Sequence, residues 1–150
     1  MKNFFKYFII LLFVYSCNYS PVYLNDKTQL DFNDLIFSGD KRVIEKIQNR
    51  IGYLRNPDSK FDILIETKLN RSIASKNKLG NPEVFNMSIE INLKITKNKI
   101  MMKEKIFNEN ISYNNTSSQF KLKQTEDKFE NSLIRKISED ILIYLRSIEK

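Results

Sequence analysis

From Phe85 to Thr96 the chain alternates apolar and polar side chains without a break. Phe85, Met87, Ile89, Ile91, Leu93 and Ile95 share one parity, while Asn86, Ser88, Glu90, Asn92, Lys94 and Thr96 share the other. A period of two over this length predicts a strand, Val84–Thr96, in a sheet with one dry and one wet face. The same parity test finds three further strands. Phe61–Ser72 places Phe61, Ile63, Ile65, Thr67 and Leu69 on one side. Leu30–Phe37 is an apolar run broken by Asp31, Asn33 and Asp34 and reads as a first strand. Ile100–Tyr113 starts its inward set on even numbers (Ile100, Met102, Ile106) and finishes on odd ones (Phe107, Ile111, Tyr113). Such a switch requires a bulge, which the sequence places near Ile106–Phe107.

The connections follow from turn chemistry. Arg71–Asn81 is polar and punctuated by Gly80 and Pro82, so it reads as a loop or hairpin end. Thr96-Lys97-Asn98-Lys99 reads as a tight turn, since Asn98 tolerates the left-handed backbone such turns use. Asn114–Gln119 reads as a polar loop.

Two segments carry helical period. In Asp40–Leu54, Val43, Ile44, Ile47, Ile51 and Leu54 form one apolar stripe, and lysines, arginines and amides fill the opposite face. Ser38 or Asp40 could cap its start, and Asn56-Pro57 prevents continuation. In Thr125–Ile148, Phe129, Leu133, Ile137, Ile141, Leu145 and Ile148 recur every three or four residues, widened by Ile134 and Tyr144. Thr125 reads as its cap, with Glu126 and Asp127 favourable in the first turn.

The element order is therefore β-α-β-β-β-α. The strand–helix–strand unit makes its two strands parallel, and the two short connections make the remaining pairings antiparallel. A sheet with one wet face and two amphipathic helices form an α+β two-layer sandwich, both helices covering the apolar face of a four-stranded mixed sheet.

The N-terminus is organised differently. Lys2 and Lys6 precede an apolar run from Tyr7 to Tyr15, followed by Ser16 and Cys17. A positive region, an apolar run of about ten residues and a small residue form the pattern of a signal peptide, whereas a bilayer span needs roughly 20 apolar residues. Val14-Tyr15-Ser16-Cys17 resembles a bacterial lipobox, with Val14 where Leu is usual, and Cys17 is the only cysteine in the chain. The reading divides the chain into a signal peptide (1–16), a lipidated tether (17–27) and one domain (28–150). The alternative is a plain signal peptide with an unrelated cysteine. A multiply acylated Cys17 would hold the protein on a membrane, which one acyl chain does only marginally. Tyr19 and Tyr23, in the tether, would pack under the domain or sit at the membrane interface.

Composition narrows the chemistry further. His is absent, which removes the usual general base and the commonest metal ligand, and no thiol remains beyond Cys17. There is no G-x-S-x-G, P-loop or G-x-G-x-x-G pattern, and Glu66 and Glu90 read as solvated outer-face residues rather than an acid–base pair. The expectation is a non-enzyme without cofactor or metal. The net charge is +7, spread through a chain rich in Lys and Asn, a bias that an AT-rich genome also produces. For an exported protein this charge points to an anionic lipid or polysaccharide rather than nucleic acid. Candidate anion-binding residues are Arg71, Lys76 and Lys78 in one loop, and Lys97 and Lys99 in the tight turn. The two sets fall at opposite ends of the third strand and cannot form one site. Each residue also has an ordinary reading as an edge or turn cation that discourages strand aggregation.

Cys17-Asn18-Tyr19-Ser20-Pro21-Val22-Tyr23 resembles the mature start of the LPS-assembly lipoproteins, the LptE family, which often reads Cys-Gly-aromatic-x-Pro-aliphatic-Tyr; Asn18 stands where Gly is usual. Ser112-Tyr113-Asn114, a short polar loop, Glu126-Asp127 and the long helix resemble the end of that family's domain. The resemblance implies a non-catalytic lipoprotein of the outer membrane, anchored through Cys17, facing the periplasm and seated partly in the lumen of the LPS-translocon barrel LptD. It implies roles in barrel assembly and LPS transport, with LptD and lipopolysaccharide as partners. Asn18 also differs from the Asp that resembles an inner-membrane retention signal. The alternative is another envelope lipoprotein acting as a scaffold or a lipid carrier, and a carrier should hold an apolar cavity between helices and sheet. A periplasmic enzyme or inhibitor is a third reading.

Overall fold

The computed structural model describes residues 32–52 and 55–148. The segments expected to be a signal peptide (1–16) and a lipidated tether (17–27, with Cys17, Tyr19 and Tyr23), the start of the expected first strand at Leu30, and Leu54 all lie outside the described residues. The elements are β1 (Asp34–Gly39), α1 (Lys41–Ile51), β2 (Phe61–Lys76), β3 (Pro82–Lys97), β4 (Ile100–Asn114) and α2 (Gln119–Ser147). The order β-α-β-β-β-α is the expected one. The four strands form one sheet in the order β1-β2-β3-β4, with β1 parallel to β2 and the other pairs antiparallel.

The α+β sandwich follows from the parity of the strands. Ile63 and Ile65 of β2 and Ile89, Ile91 and Leu93 of β3 are fully buried, as are Val43, Ile47 and Ile51 of α1 and Ile137, Ile141 and Leu145 of α2. These side chains form one cluster between sheet and helices. Phe107 is buried, and Phe85 and Phe129 pack against the cluster, so the inward aromatics are core. Helix α1 packs on β1 and β2, α2 packs on β3 and β4, and the helices touch each other. Among the described residues, no element covers the opposite sheet face.

Chain entry into α1 depends on one glycine. Gly39 has φ 109°, and a Cβ there would lie 1.9 Å from the carbonyl oxygen of Thr67. This close approach brings Asp40 N–H within 3.3 Å of that same oxygen, while the Thr67 hydroxyl donates to Ser38 O at 3.3 Å. Asp40 then caps α1, its carboxylate accepting from the N–H groups of Arg42 and Val43.

Several boundaries differ from expectation. The first strand spans Asp34–Gly39 instead of Leu30–Phe37, and Phe32 makes an isolated bridge to Arg55. Strand β2 continues to Lys76, so the polar Arg71–Asn81 segment is mostly ladder and only Asn77–Asn81 is loop. Polarity misleads here because β1 ends opposite Thr67, so from there β2 is an edge strand whose side chains from Asn70 onward are exposed while its ladder to β3 continues. The bulge is not at Ile106–Phe107. Ile95 pairs with Lys103 and Thr96 with Met101, so Met102 is the extra residue. Beyond it the odd residues of β4 face inward, and Ile106 stands outside. Ile100, Met102 and Ile106, expected inward, are all exposed. Finally, α2 begins at Gln119 with Ser118 as its cap, not at Thr125, because Leu122 extends the apolar stripe by two turns.

Candidate functional site

The early start of α2 places Glu126 on its buried face rather than in a first turn. Its side chain is 11% exposed, and its Oε1 accepts from the Tyr113 hydroxyl at 2.9 Å and pairs with Arg71 Nη2 at 2.7 Å. The Arg71 guanidinium stacks 4.2 Å above the Phe85 ring, and Phe85, Tyr113 and Phe129 have ring centroids 5.7–5.8 Å apart in sequence of contact. Strands β2, β3 and β4 and helix α2 each contribute to this cluster. Arg71 belongs to the helix-facing parity of β2, with Leu69 and Ile73, so it projects toward α2 rather than from a loop. Burial, the bond to Glu126 and that carboxylate's charge push the Tyr113 phenol up to about 12, against the opposing effect of Arg71. Arg71 is thereby committed to Glu126, although its side chain stays 42% exposed and a guanidinium has five N–H donors.

Four residues further along the same stripe, Glu130 is 4% exposed and accepts from Lys46 Nζ at 2.6 Å, with Arg42 at 3.9 Å. This pairing links α1 to α2. Neither acid is legible as a buried group if the helix begins at Thr125. The spacing Leu122, Glu126, Glu130, Leu133 is the signal that could have revealed both.

Lys76 ends β2 and Lys78 lies in the loop that follows; both are exposed. Lys97 ends β3, its Nζ 5.3 Å from the Phe61 ring centroid, and the exposed Lys99 sits in the β3–β4 turn. The two sets lie at opposite ends of β3, about 50 Å apart for a strand of this length. The structure therefore brings Lys76 and Lys78 to the end where Arg71 lies and keeps Lys97 and Lys99 away, as the sequence implies.

The uncovered sheet face divides into two zones. Rows Asn70–Ser88–Asn110 and Ser72–Asn86–Ser112 cross the sheet with amides and hydroxyls alone. Toward the other end Lys94 bridges Glu66 at 3.2 Å and Glu104 at 3.9 Å. Near that end the β3–β4 hairpin exposes more than half of Ile100, Met101, Met102 and Ile106. No group of three or more potential ligating acids converges among the described residues, and none of the described helices is long and apolar enough to cross a membrane.

A sandwich of this order with one open polar sheet face belongs to a known structural class. The crystal structure of the rare lipoprotein B from Shewanella oneidensis superposes with a TM-score of 0.62, covering 77% of this chain and 96% of that one at 13% identity. A minor lipoprotein from Acinetobacter baumannii superposes with a TM-score of 0.58, covering 79% and 93% at 8% identity. At such identities the likeness is one of fold: this chain has the fold of these bacterial lipoproteins over nearly their whole length. No family model matches the sequence, and no curated protein matches it.

Proposed function

We propose that this chain is an acylated envelope lipoprotein that works without catalysis as the plug of an outer-membrane β-barrel of the LptD type, supporting barrel assembly and passage of lipopolysaccharide. The observation that carries this reading is the uncovered sheet face, with its amide and hydroxyl rows, on a domain with the fold of bacterial lipoproteins. A barrel lumen is polar, and a flat array of amides and hydroxyls suits hydrogen bonding to such a wall. Acylated Cys17 would keep the domain at the membrane where the barrel forms. The continuous aliphatic filling between helices and sheet favours a solid plug over a lipid carrier. Within this reading, Lys76 and Lys78, with the exposed part of Arg71, form one candidate contact for lipid A phosphates, and Lys97 with Lys99 forms another.

The test is a pull-down of tagged full-length protein from detergent-solubilised outer membranes, followed by mass spectrometry. A stoichiometric large β-barrel retained through stringent washing is expected. A lipidated but solitary protein, with the translocon barrel present in the same extract, would overturn the plug reading. Replacing each lysine cluster by Ser should weaken binding to purified lipopolysaccharide, and unchanged affinity with an intact fold removes that cluster from the site.

A further inference from the structure

The β3–β4 hairpin tip combines features that packing does not explain. The bulge leaves Met102 without a cross-strand partner beside the paired Met101, and Ile100, Met101, Met102 and Ile106 are each more than half exposed. Clustered exposed apolar side chains of this kind mark a contact surface. Lys97, Lys99, Lys103 and Lys105 surround them. The single acid of the hairpin tip, Glu104, accepts from Asn92 Nδ2 at 2.7 Å and lies near Lys94. Lys99 adopts φ 67° at the second position of a two-residue turn, where Gly is the favoured residue. A charge is thus kept at the tip at a conformational cost.

The topology places this tip at the end of the sheet where the chain enters. Asp34, Asp62, Thr96 and Met101 form one row across the sheet, so the chain enters the domain along the same edge as the hairpin tip, roughly 14 Å away. Cys17 precedes Phe32 by 15 residues, a span of at most about 50 Å. The tether from Cys17 joins the domain at this end of the sheet; its full reach about equals the length of β3, so the exposed apolar side chains and the lysines of the tip, rather than the tether, select this end as the contact. The acids of the edge lie on the β1–β2 side, where Asp34 pairs with Arg55 and Asp62 accepts from Asn33.

We propose that the β3–β4 hairpin tip is a second membrane contact, seating on an anionic lipid bilayer with Ile100, Met101 and Met102 at the acyl boundary and the lysines on headgroup phosphates. Apolar insertion and lysine–phosphate attraction reinforce each other at such a surface, and together with the acyl chains they fix the orientation of the domain. The inference rests on the envelope-lipoprotein reading and is independent of the barrel.

The chain contains no Trp, so a single introduced indole reports its own position. Full-length Met101→Trp and, as the opposite-end control, Leu79→Trp are reconstituted into phosphatidylcholine vesicles with and without phosphatidylglycerol, using brominated acyl chains as quenchers. In floated anionic vesicles the indole of the Met101→Trp variant should be quenched at least about twofold more than that of the Leu79→Trp variant. Adding Lys99→Gly with Lys97→Gln to Met101→Trp should reduce that quenching severalfold. Gly suits the turn, and an unchanged circular dichroism spectrum and thermal transition of the variant separate the loss from misfolding. Equal quenching of the two variants in floated protein overturns the proposal and leaves the barrel reading intact. So does shielding of the hairpin-tip indole from aqueous acrylamide without bromolipid quenching, which would make the tip a protein interface.

Discussion

Arg71 offers the sharpest test of how this fold handles buried charge. Removing it by Arg71→Met leaves the Glu126 carboxylate 11% exposed, with only the Tyr113 hydroxyl donating to it. Orphaning a fully buried partner costs about 3–5 kcal/mol. Arg71 is itself 42% exposed, so solvent already screens the pair and the electrostatic part falls to about 1–2 kcal/mol. Loss of the contact with the Phe85 ring adds about 0.5–1 kcal/mol, for a total of roughly 2 kcal/mol. Glu126→Gln keeps an acceptor for Tyr113 and should cost about 1 kcal/mol. Once Arg71 is gone the amide is no worse than the carboxylate, so the double variant should match Arg71→Met, giving a coupling near 1 kcal/mol. Urea unfolding near neutral pH, followed by circular dichroism on a Cys17→Ser form lacking residues 1–16, measures all four corners. Exposed Lys76→Met, at the same end of β2, should stay within about 0.5 kcal/mol of the parent. Additivity of the two single changes to within about 0.5 kcal/mol would refute the argument that Arg71 is tied to Glu126.

Three further outcomes are expected. Gly39→Ala forces a Cβ to 1.9 Å from Thr67 O at φ 109°, so it should cost at least about 3 kcal/mol; an unchanged thermal transition would show that the β1–α1 junction yields. The Tyr113 phenol holds its proton more tightly folded than unfolded. Its contribution, on the order of 2 kcal/mol, is therefore complete below pH 10 and lost as pH rises toward about 12. Comparing unfolding of the parent with Tyr113→Phe isolates this from lysine titration, and a difference that stays constant across that window contradicts it. Lys46→Met should lose about 1–3 kcal/mol by leaving the buried Glu130 with only the longer Arg42 contact, whereas Lys46→Met with Glu130→Leu should recover most of that loss; a double variant as unstable as the single one would show that the pair is needed for more than charge balance.

The segments that are legible are those where one face is dry over the whole element. In β3 the alternation Phe85 to Thr96 sets both the strand and its wet face, and in α1 the stripe Val43, Ile47, Ile51 and the cap Asp40 give a helix correct to within a few residues. Errors arise where no single face of an element is continuously apolar. The distal half of β2 reads as loop because neither face is buried there, yet ladder hydrogen bonds to β3 hold it as strand. In α2 the buried acids Glu126 and Glu130 separate Leu122 from the apolar stripe that resumes at Leu133, so the turns before Thr125 do not read as part of the helix. The β4 parity switch is legible as a bulge, but its position is not. A bulge can absorb the extra residue anywhere between the turn and the first inward position, and only the pairing of Thr96 with Met101 and of Ile95 with Lys103 places it at Met102.

The sequence by itself determined the order of elements, the two-layer arrangement, the wet sheet face and the opposite-end placement of the two lysine sets, because each follows from the periodicity of side chains along a single element. Tertiary structure alone decided that Arg71 turns toward Glu126 instead of solvent, that Glu130 joins the helices through Lys46, and that Ile100, Met101 and Met102 stand exposed on the edge where the chain enters. These depend on register between strands and on where the helices end, which are relations between distant segments that no local pattern encodes.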